Sequence, residues 1–356
     1  MKIPEAPHIS DKKSKLTFDG GRRLISASEA DRLVCGILVN SGCHHEIAAE
    51  VSAHLIDAEM SGVESHGLMR VLQYYEQYQN GYLKTGVMPG ISKDEFDRDF
   101  IDGYGGIGIP AMSLAVKNLT KKVLSKGMDA IAVRNVGHTG RIGAFAEQAS
   151  RQGLLCIIIG GAGREKWRQA APFGGMKAIL PTNPYAIGFP GGERGPVVID
   201  FATSQIAGGW LHSARAAGAL VPEGAIIDKD GRAARDPKAY FEGGAILPKG
   251  GPMGYGMALM AEMICDAMLG DAQIECNWFL IGIDTAVYRS PVAITQAAEA
   301  ILKEVRSCPP APGFERVEVP GERERANKVA NQKMGMALPS KTYDLIQNLA
   351  HKLGVN

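Results

Sequence analysis

The chain has 356 residues, of which 45% are hydrophobic and 22% charged, with a formal net charge of +1. That length supports a large core and two lobes, and the near-neutral balance offers no basic footprint for nucleic acid or an anionic membrane. Met1 to Lys15 is polar, without the apolar stretch of a signal peptide, and the cysteines at 35, 43, 156, 265, 276 and 308 form no Cys-x-x-Cys pair; a cytoplasmic protein with reduced thiols is expected.

Residues 1–17 read as a loosely held arm. Ser26-Ala-Ser-Glu29 has the capping-box form, with Ala30, Leu33, Val34, Ile37 and Leu38 at helical spacing behind it. A second helix carries Ile47, Val51 and Leu55 and stops near Gly62. A third is expected to begin at Ser65 and to carry Leu68, Leu72 and Tyr75. The apolar runs at 130–136, 154–159, 197–201 and 278–284 are of strand type. They alternate with helical stretches at 143–153 and 255–269, which argues for a layered α/β core. From Pro291 the chain is helical, then rich in Pro and Gly over 308–321, and it ends in a helix over 340–353.

Gly103-Tyr-Gly105-Gly-Ile-Gly108 fits the dinucleotide fingerprint and precedes a helical stretch. The segment before it, Asp94–Asp102, is too charged for the buried central strand that fingerprint requires, and Asp129 falls before the next strand rather than at its end. The cofactor site is expected elsewhere.

Four clusters carry chemistry. In Ser65-His66-Gly67-Leu68-Met69-Arg70, a helix would place His66 and Arg70 on one face. A guanidinium forks onto a carboxylate while an imidazole exchanges a proton with a carbinol oxygen, so the pair suits a 2-oxo or 2-hydroxy acid. A capped helix start with a half-exposed His66 is the plainer alternative. Next, Gly137-His138-Thr139-Gly140 lies at a strand end leading into a helix, where α/β sheets collect ligands. Pro172-Phe-Gly-Gly175 and Pro181-Thr182-Asn183-Pro184 offer exposed donors on backbone stiffened by proline, or simply a turn. Finally, Asp200 closes an apolar strand, where a carboxylate is expensive unless paired; an imidazole would be a natural partner, and a solvated strand end the alternative.

Together, Ser-His-Gly-x-x-Arg, Gly-His-x-Gly, Pro-Phe-Gly-Gly, Thr-Asn-Pro, Asp-x-Ala-Thr-Ser, Gly-Tyr-Gly and Pro-Gly-Glu-Arg resemble the type-2 malate/L-lactate dehydrogenase family, from about residue 24 to the C-terminus. That family also holds ureidoglycolate, sulfolactate and diketogulonate oxidoreductases and cyclic-imine reductases. The resemblance implies a homodimer. It also implies a three-layer, mixed-sheet, non-Rossmann NAD(P)-binding domain over 91–289, and a helical substrate and dimerisation domain built from 1–90 and 290–356. His66 would be the proton donor, with Ser65 and Asp200 as its relay, and Arg70 the clamp on a substrate carboxylate. His138, an alternative acid/base, would line the nicotinamide side with Thr182, Asn183 and Pro184. Gly160, Gly254, Tyr255, Gly256 and Pro320 to Arg323, including Glu322, would meet the rest of the cofactor.

The chain departs from the family pattern at Met253 and Trp210, where lysines are common. Losing both cations favours NAD, with NADP the alternative, and raises a noncatalytic NAD-binding paralogue as a second function. Other constellations are weaker. His44, His45 and His54 lack a completing acidic or thiol ligand for a metal. No Gly-x-Ser-x-Gly elbow supports a hydrolase triad from Ser65, His66 and Asp200. The methionines at 253, 257, 260 and 263 are expected in the core.

Overall fold

The computed structural model describes residues 21–217 and 219–355; the arm expected over 1–17 lies outside them. Strand β1 (Arg22–Ile25) leads into α1 (Ala27–Asn40) and α2 (His45–Met60). After a 3-10 turn at Glu64–His66 comes α3 (Arg70–Gln79). Ser26 caps α1 as its spacing predicts, its hydroxyl accepting the Glu29 N–H at 3.1 Å. The reciprocal half of the box goes elsewhere: the Glu29 carboxylate accepts Tyr343 Oη–H at 2.9 Å and Gln347 Nε2–H at 3.1 Å. A local cap is thus traded for a tie between the two ends of the chain.

The middle of the chain supplies β2 (Gly90–Lys93), β3 (Asp99–Asp102), α4 (Gly108–Lys126), β4 (Met128–Val136), α5 (Ile142–Arg151), β5 (Leu154–Gly161), β6 (Pro184–Gly192) and β7 (Gly195–Ala202). A smaller unit follows: α6 (Gly208–Ala217), β8 (Ile226–Ile227), β9 (Ala233–Ala234), α7 (Pro237–Phe241) and β10 (Ala245–Ile246). Then come α8 (Pro252–Glu262), running on as a π-helical turn over Met263–Met268, and β11 (Cys276–Asp284). The chain closes with α9 (Pro291–Ser307), α10 (Glu322–Met334), β12 (Met336–Pro339) and α11 (Ser340–Lys352).

Seven strands form one mixed sheet in the order β2-β3-β4-β11-β5-β6-β7, with β3 and β4 parallel and the other neighbours antiparallel. Side chains alternate across a strand, and β5 divides accordingly. Cys156 and Ile158 join the large core shared with α4 and α5, whereas Ile157 and Ile159 face a smaller core with Ala261 and Cys265. Helices therefore cover both faces of an α/β sheet. The β8–β10 unit has its own small core around Leu211, Ala214, Ile226 and Ile246. The chain ends are joined, with β1 paired antiparallel to β12 and α1 packed on α11; α9 packs on β6.

Within Asp94–Asp102 only the last four residues form a strand: β3 is short, has only Ile101 fully buried and lies second from the sheet edge beside β4, so it is not the buried central strand a dinucleotide fingerprint requires. The glycine loop after it also offers few free donors. The N–H groups of Gly103, Gly105, Gly106 and Gly108 go to the carbonyls of Arg134, Asn135, Gly103 and His138, and that of Tyr104 to the Asp102 carboxylate. A phosphate cradle needs those amides pointing outward. The methionine stretch also differs from expectation: Met253, Met260 and Met263 are 66%, 54% and 53% exposed. Only part of α8 is covered: Ala261 faces the sheet beside Ile159, and Ala258 faces the small core of the β8–β10 unit.

Candidate active site

The turn between α2 and α3 sets the site. Serine, histidine and arginine do not share one helix as expected. His66 ends the 3-10 turn, Gly67 is extended at φ −89 and ψ −150, and α3 starts at Arg70. Glu59, 5% exposed near the end of α2, causes the break, since its Oε2 accepts the Leu68 N–H at 2.9 Å. A side chain at Gly67 would collide with the same carboxylate. The later start moves the buried face of α3 to Val71, Tyr74 and Tyr78, leaving Leu72 and Tyr75 half-buried.

The turn is internally braced. Ser65 Oγ lies 2.9 Å from His66 Nδ1. Arg70 Nε donates to the Ser65 carbonyl at 2.6 Å, and Nη1 donates to Gln73 Oε1. His138, between β4 and α5, stacks on His66 with ring centroids 5.4 Å apart and 23° between planes. Its Nδ1 accepts the Gly140 N–H at 3.3 Å and lies 2.8 Å from Tyr74 Oη. An Nδ1 that accepts a backbone N–H carries no proton, so Tyr74 donates and the neutral ring holds its proton on Nε2.

Both rings are half-exposed, yet protein surrounds them deeply enough to disfavour charge. Burial, then the Arg70 guanidinium, brings the His66 pKa down to about 3 and sends that of His138 well below its usual value. Among the described residues, nothing takes His66 Nε2 as a hydrogen-bond partner. A neutral imidazole with one nitrogen braced and the other open is a proton acceptor at neutral pH.

Asp200 does not pair with an imidazole, as expected of it. Its Oδ2 accepts the Gly143 N–H at the start of α5 at 2.7 Å. Surrounding protein pushes its carboxyl up to about 6, against that hydrogen bond and the nearby Arg141, yet the residue as a whole is exposed, which is the solvated strand end held as the alternative. The sequence identifies an unpaired strand-end carboxylate but cannot show that the partner is a backbone amide.

The Thr182–Pro184 wall is built differently from expectation. Asn183 is fully buried and its amide points inward, donating to Glu262 Oε1 at 2.6 Å. Glu262 also accepts the Ala162 N–H at 3.0 Å. Asn183 and Ala162 both have positive φ, 37° and 64°, a conformation non-glycine residues hold only under constraint. One buried carboxylate thus pins two strained residues, and the Thr182 carbonyl is taken by Thr203 N–H and Oγ–H. Thr182 and Pro184 stay half-exposed, while Gly160 packs against the Trp278 ring. Tyr185 Oη donates to the Met257 carbonyl at 2.9 Å, setting the middle of α8 beside this wall. At Gly254 a side chain would strike the carbonyls of Lys249 and Thr203, whereas at Gly256 it would meet nothing within 4 Å.

The match to known proteins follows that geometry. Residues 25–347 match the family model described as malate/L-lactate dehydrogenase. The chain belongs to that family. Among malate/L-lactate dehydrogenase relatives, the L-sulfolactate dehydrogenase of Methanocaldococcus jannaschii is 30% identical over 94% of this chain and 98% of its own. A Delta(1)-pyrroline-2-carboxylate/Delta(1)-piperideine-2-carboxylate reductase of Pseudomonas putida is 31% identical over 68% of this chain and 70% of its own. The malate dehydrogenase structure from Entamoeba histolytica superposes with a TM-score of 0.87 at 24% identity, over 94% and 99% of the two chains. The relatives of this chain are named dehydrogenases and reductases.

Two family-implied cofactor residues are engaged within the protein. Glu322 forms ion pairs with Arg306 at 2.7 Å and Arg194 at 3.8 Å, and Arg323 pairs with Glu324 at 2.8 Å. Trp210 and Tyr255 pack against the small core of the β8–β10 unit. His44 bonds the Gly86 carbonyl, while His54 accepts the Arg141 N–H and stacks on Phe145, so these two are committed to different neighbours. Three residues escaped the sequence: Glu59, Tyr74 and Glu275. Tyr74 had a usable signal, its spacing of four from Arg70. The two carboxylates had none, since nothing in their local sequence marks them as buried.

Proposed function

We propose that the chain is a NAD(P)-dependent oxidoreductase interconverting a small 2-hydroxy acid and its 2-oxo acid. The observation that carries this is the stacking of His66 on His138 in the turn braced by Arg70, with His66 Nδ1 held by Ser65 and no hydrogen-bond partner at Nε2 among the described residues. The residues suit a nicotinamide: Thr182 and Pro184 make a small, uncharged, half-exposed wall, and a side chain at Gly256 would meet nothing within 4 Å. When bound, the dinucleotide supplies or takes the hydride at C2.

In the oxidation direction His66 Nε2 takes the hydroxyl proton, and Ser65 steadies the ring through Nδ1. Arg70 holds the substrate carboxylate with its Nη atoms, because Nε is committed to the Ser65 carbonyl. Tyr74 fixes His138 in one tautomer beside the nicotinamide. Asp200 acts through its charge across the cleft and its hold on Gly143. NAD is the preferred cofactor, since Met253 and Trp210 bring no cation for a 2′-phosphate. The lobe formed by 1–90 and 290–356 is the substrate and dimerisation domain of a cytoplasmic homodimer, and 91–289 is the non-Rossmann cofactor domain.

Purified protein assayed for NADH and NADPH oxidation against 2-oxo acids tests this directly; cofactor binding without turnover of any of them would favour the noncatalytic paralogue. Arg70→Lys is expected to raise KM by roughly ten- to a hundredfold, the loss of a charge-assisted hydrogen bond. A smaller fall in kcat should accompany it, because the tether to Ser65 goes too. Unchanged KM in steady-state kinetics would remove Arg70 as the clamp.

A further inference from the structure

The small β8–β10 unit brings the first turn of α6 up to Arg70. A Cβ placed on Gly209 would lie 3.7 Å from Arg70 Nη2, and no other atom of the described residues comes within 4 Å of that position. Leu211 is fully buried in the small core, and Trp210 packs against it. Residues two apart on a helix point roughly opposite ways, which leaves Gly209 exposed on the side away from Leu211. The guanidinium it approaches is held still. Arg70 Nε and Nη1 are tied to Ser65 and Gln73, while among the described residues Nη2 has no hydrogen-bond or ion-pair partner.

Neither usual reason for a glycine applies at 209. Its backbone is helical, without the positive φ that favours glycine, and inside a helix alanine is the more stable residue. Packing does not exclude a side chain either. At Gly208 a Cβ would collide with the Gln169 side chain, whereas at Gly209 the one neighbour stands at ordinary van der Waals distance. What the missing side chain leaves is room beside the free edge of Arg70.

We propose that Gly209 is a specificity-determining residue, which keeps the approach to Arg70 Nη2 open and sets how bulky an acid can dock there. This rests on the placement of the substrate carboxylate on Arg70 given above, and adds a size limit to it. An oxygen accepting from Nη2 sits about 2.9 Å away, so a docked acid and a side chain at 209 would share one shell around the nitrogen. A methyl group there would crowd the acid. A branched side chain would turn away all but the smallest, a selection made by clash rather than by new contact.

The test compares oxamate, which has the shape of a three-carbon 2-oxo acid, with N-isopropyloxamate, which has the same head and a branched tail. Both are titrated by calorimetry into the full-length protein saturated with NADH or NADPH, whichever binds more tightly. Gly209→Ala is expected to weaken oxamate by about three- to tenfold and Gly209→Val by about a hundredfold. In the valine variant the larger probe should lose at least about tenfold more than oxamate. Dinucleotide affinity should be unchanged in both. Gly209→Ala should also melt at or above the wild-type temperature, since alanine is the better helix former; this separates lost room from lost structure.

Wild-type affinity for both probes in G209V, an equal loss of both, or no oxamate binding by the wild type at millimolar concentration would each overturn the assignment. So would an alanine variant that loses oxamate and melting temperature together. The oxidoreductase reading is judged separately, by turnover. Should 2-oxo acids turn over with KM unmoved in both variants, that reading stands and Gly209 falls. Should the probes respond to position 209 with no 2-oxo acid turned over, Gly209 stands and the catalytic reading falls.

Discussion

Replacing His66 with alanine is expected to lower kcat for 2-hydroxy-acid oxidation by roughly 10²–10⁴-fold, the usual worth of a positioned general base, and to leave cofactor affinity unchanged. The pH dependence separates this role from a structural one. In the free enzyme burial holds the His66 pKa at about 3, so the ring is ready to accept a proton throughout the neutral range. For oxidation, kcat/KM should therefore be flat from about pH 5 to 8. For reduction of a 2-oxo acid the ring must first be protonated, and kcat/KM should fall by about tenfold per pH unit over that range. The slope should vanish in His66→Ala, where no imidazole remains to titrate. If the slope survives there and disappears in His138→Ala instead, the acid/base role belongs to His138.

The elements legible in the sequence were those whose local chemistry and tertiary role agree. The runs at 130–136, 154–159 and 278–284 fall within β4, β5 and β11 because their centres are buried between helix layers and are therefore apolar, with polar residues (Arg134, Asn135, Asp284) only toward the strand ends. The Ser26 cap depends on its own neighbours alone. The failures share a different cause. The start of α3 moved from Ser65 to Arg70 because Glu59, nine residues before Leu68, captures the Leu68 N–H. Strand β6, Pro184–Gly192, was hidden by three glycines and two prolines that normally mark turns. The methionines of α8 looked like core because sequence reports hydrophobicity, whereas which side of a helix meets the sheet is set by packing. At the site, residue types were legible and orientation was not: His66, Arg70 and His138 converge, while Asn183, which the wording of the loop presents as an exposed donor, turns inward to Glu262.

Glu59 gives the second large effect, on stability rather than turnover. Burial, with the neighbouring Glu64 as a lesser cause, raises its carboxyl to about 8 from an ordinary 4.5, despite the Leu68 N–H. In this window the folded state keeps a proton that the unfolded state releases, so stability is greatest below about pH 4.5 and falls as pH rises toward 8. The slope reaches about 1.4 kcal/mol per pH unit, which over this window amounts to a loss on the order of several kcal/mol. Glu275 is raised for the same reason and adds to the trend, so only a comparison of variants isolates Glu59. Glu59→Gln keeps an oxygen to accept the Leu68 N–H and puts an amide where the proton sat. It should melt close to wild type at pH 5 and about 5 °C higher at pH 8.5. Glu59→Ala loses the acceptor and leaves a void, so it should be destabilised at both values by roughly 2–4 kcal/mol. Because the Leu68 amide is what holds the His66 turn out of a helix, the alanine variant should also lose kcat while the glutamine variant retains it. Calorimetric melts at the two pH values, beside kcat for each variant, check all of this. A glutamine variant that loses stability with pH as steeply as wild type would show that Glu59 is already ionised in its buried site.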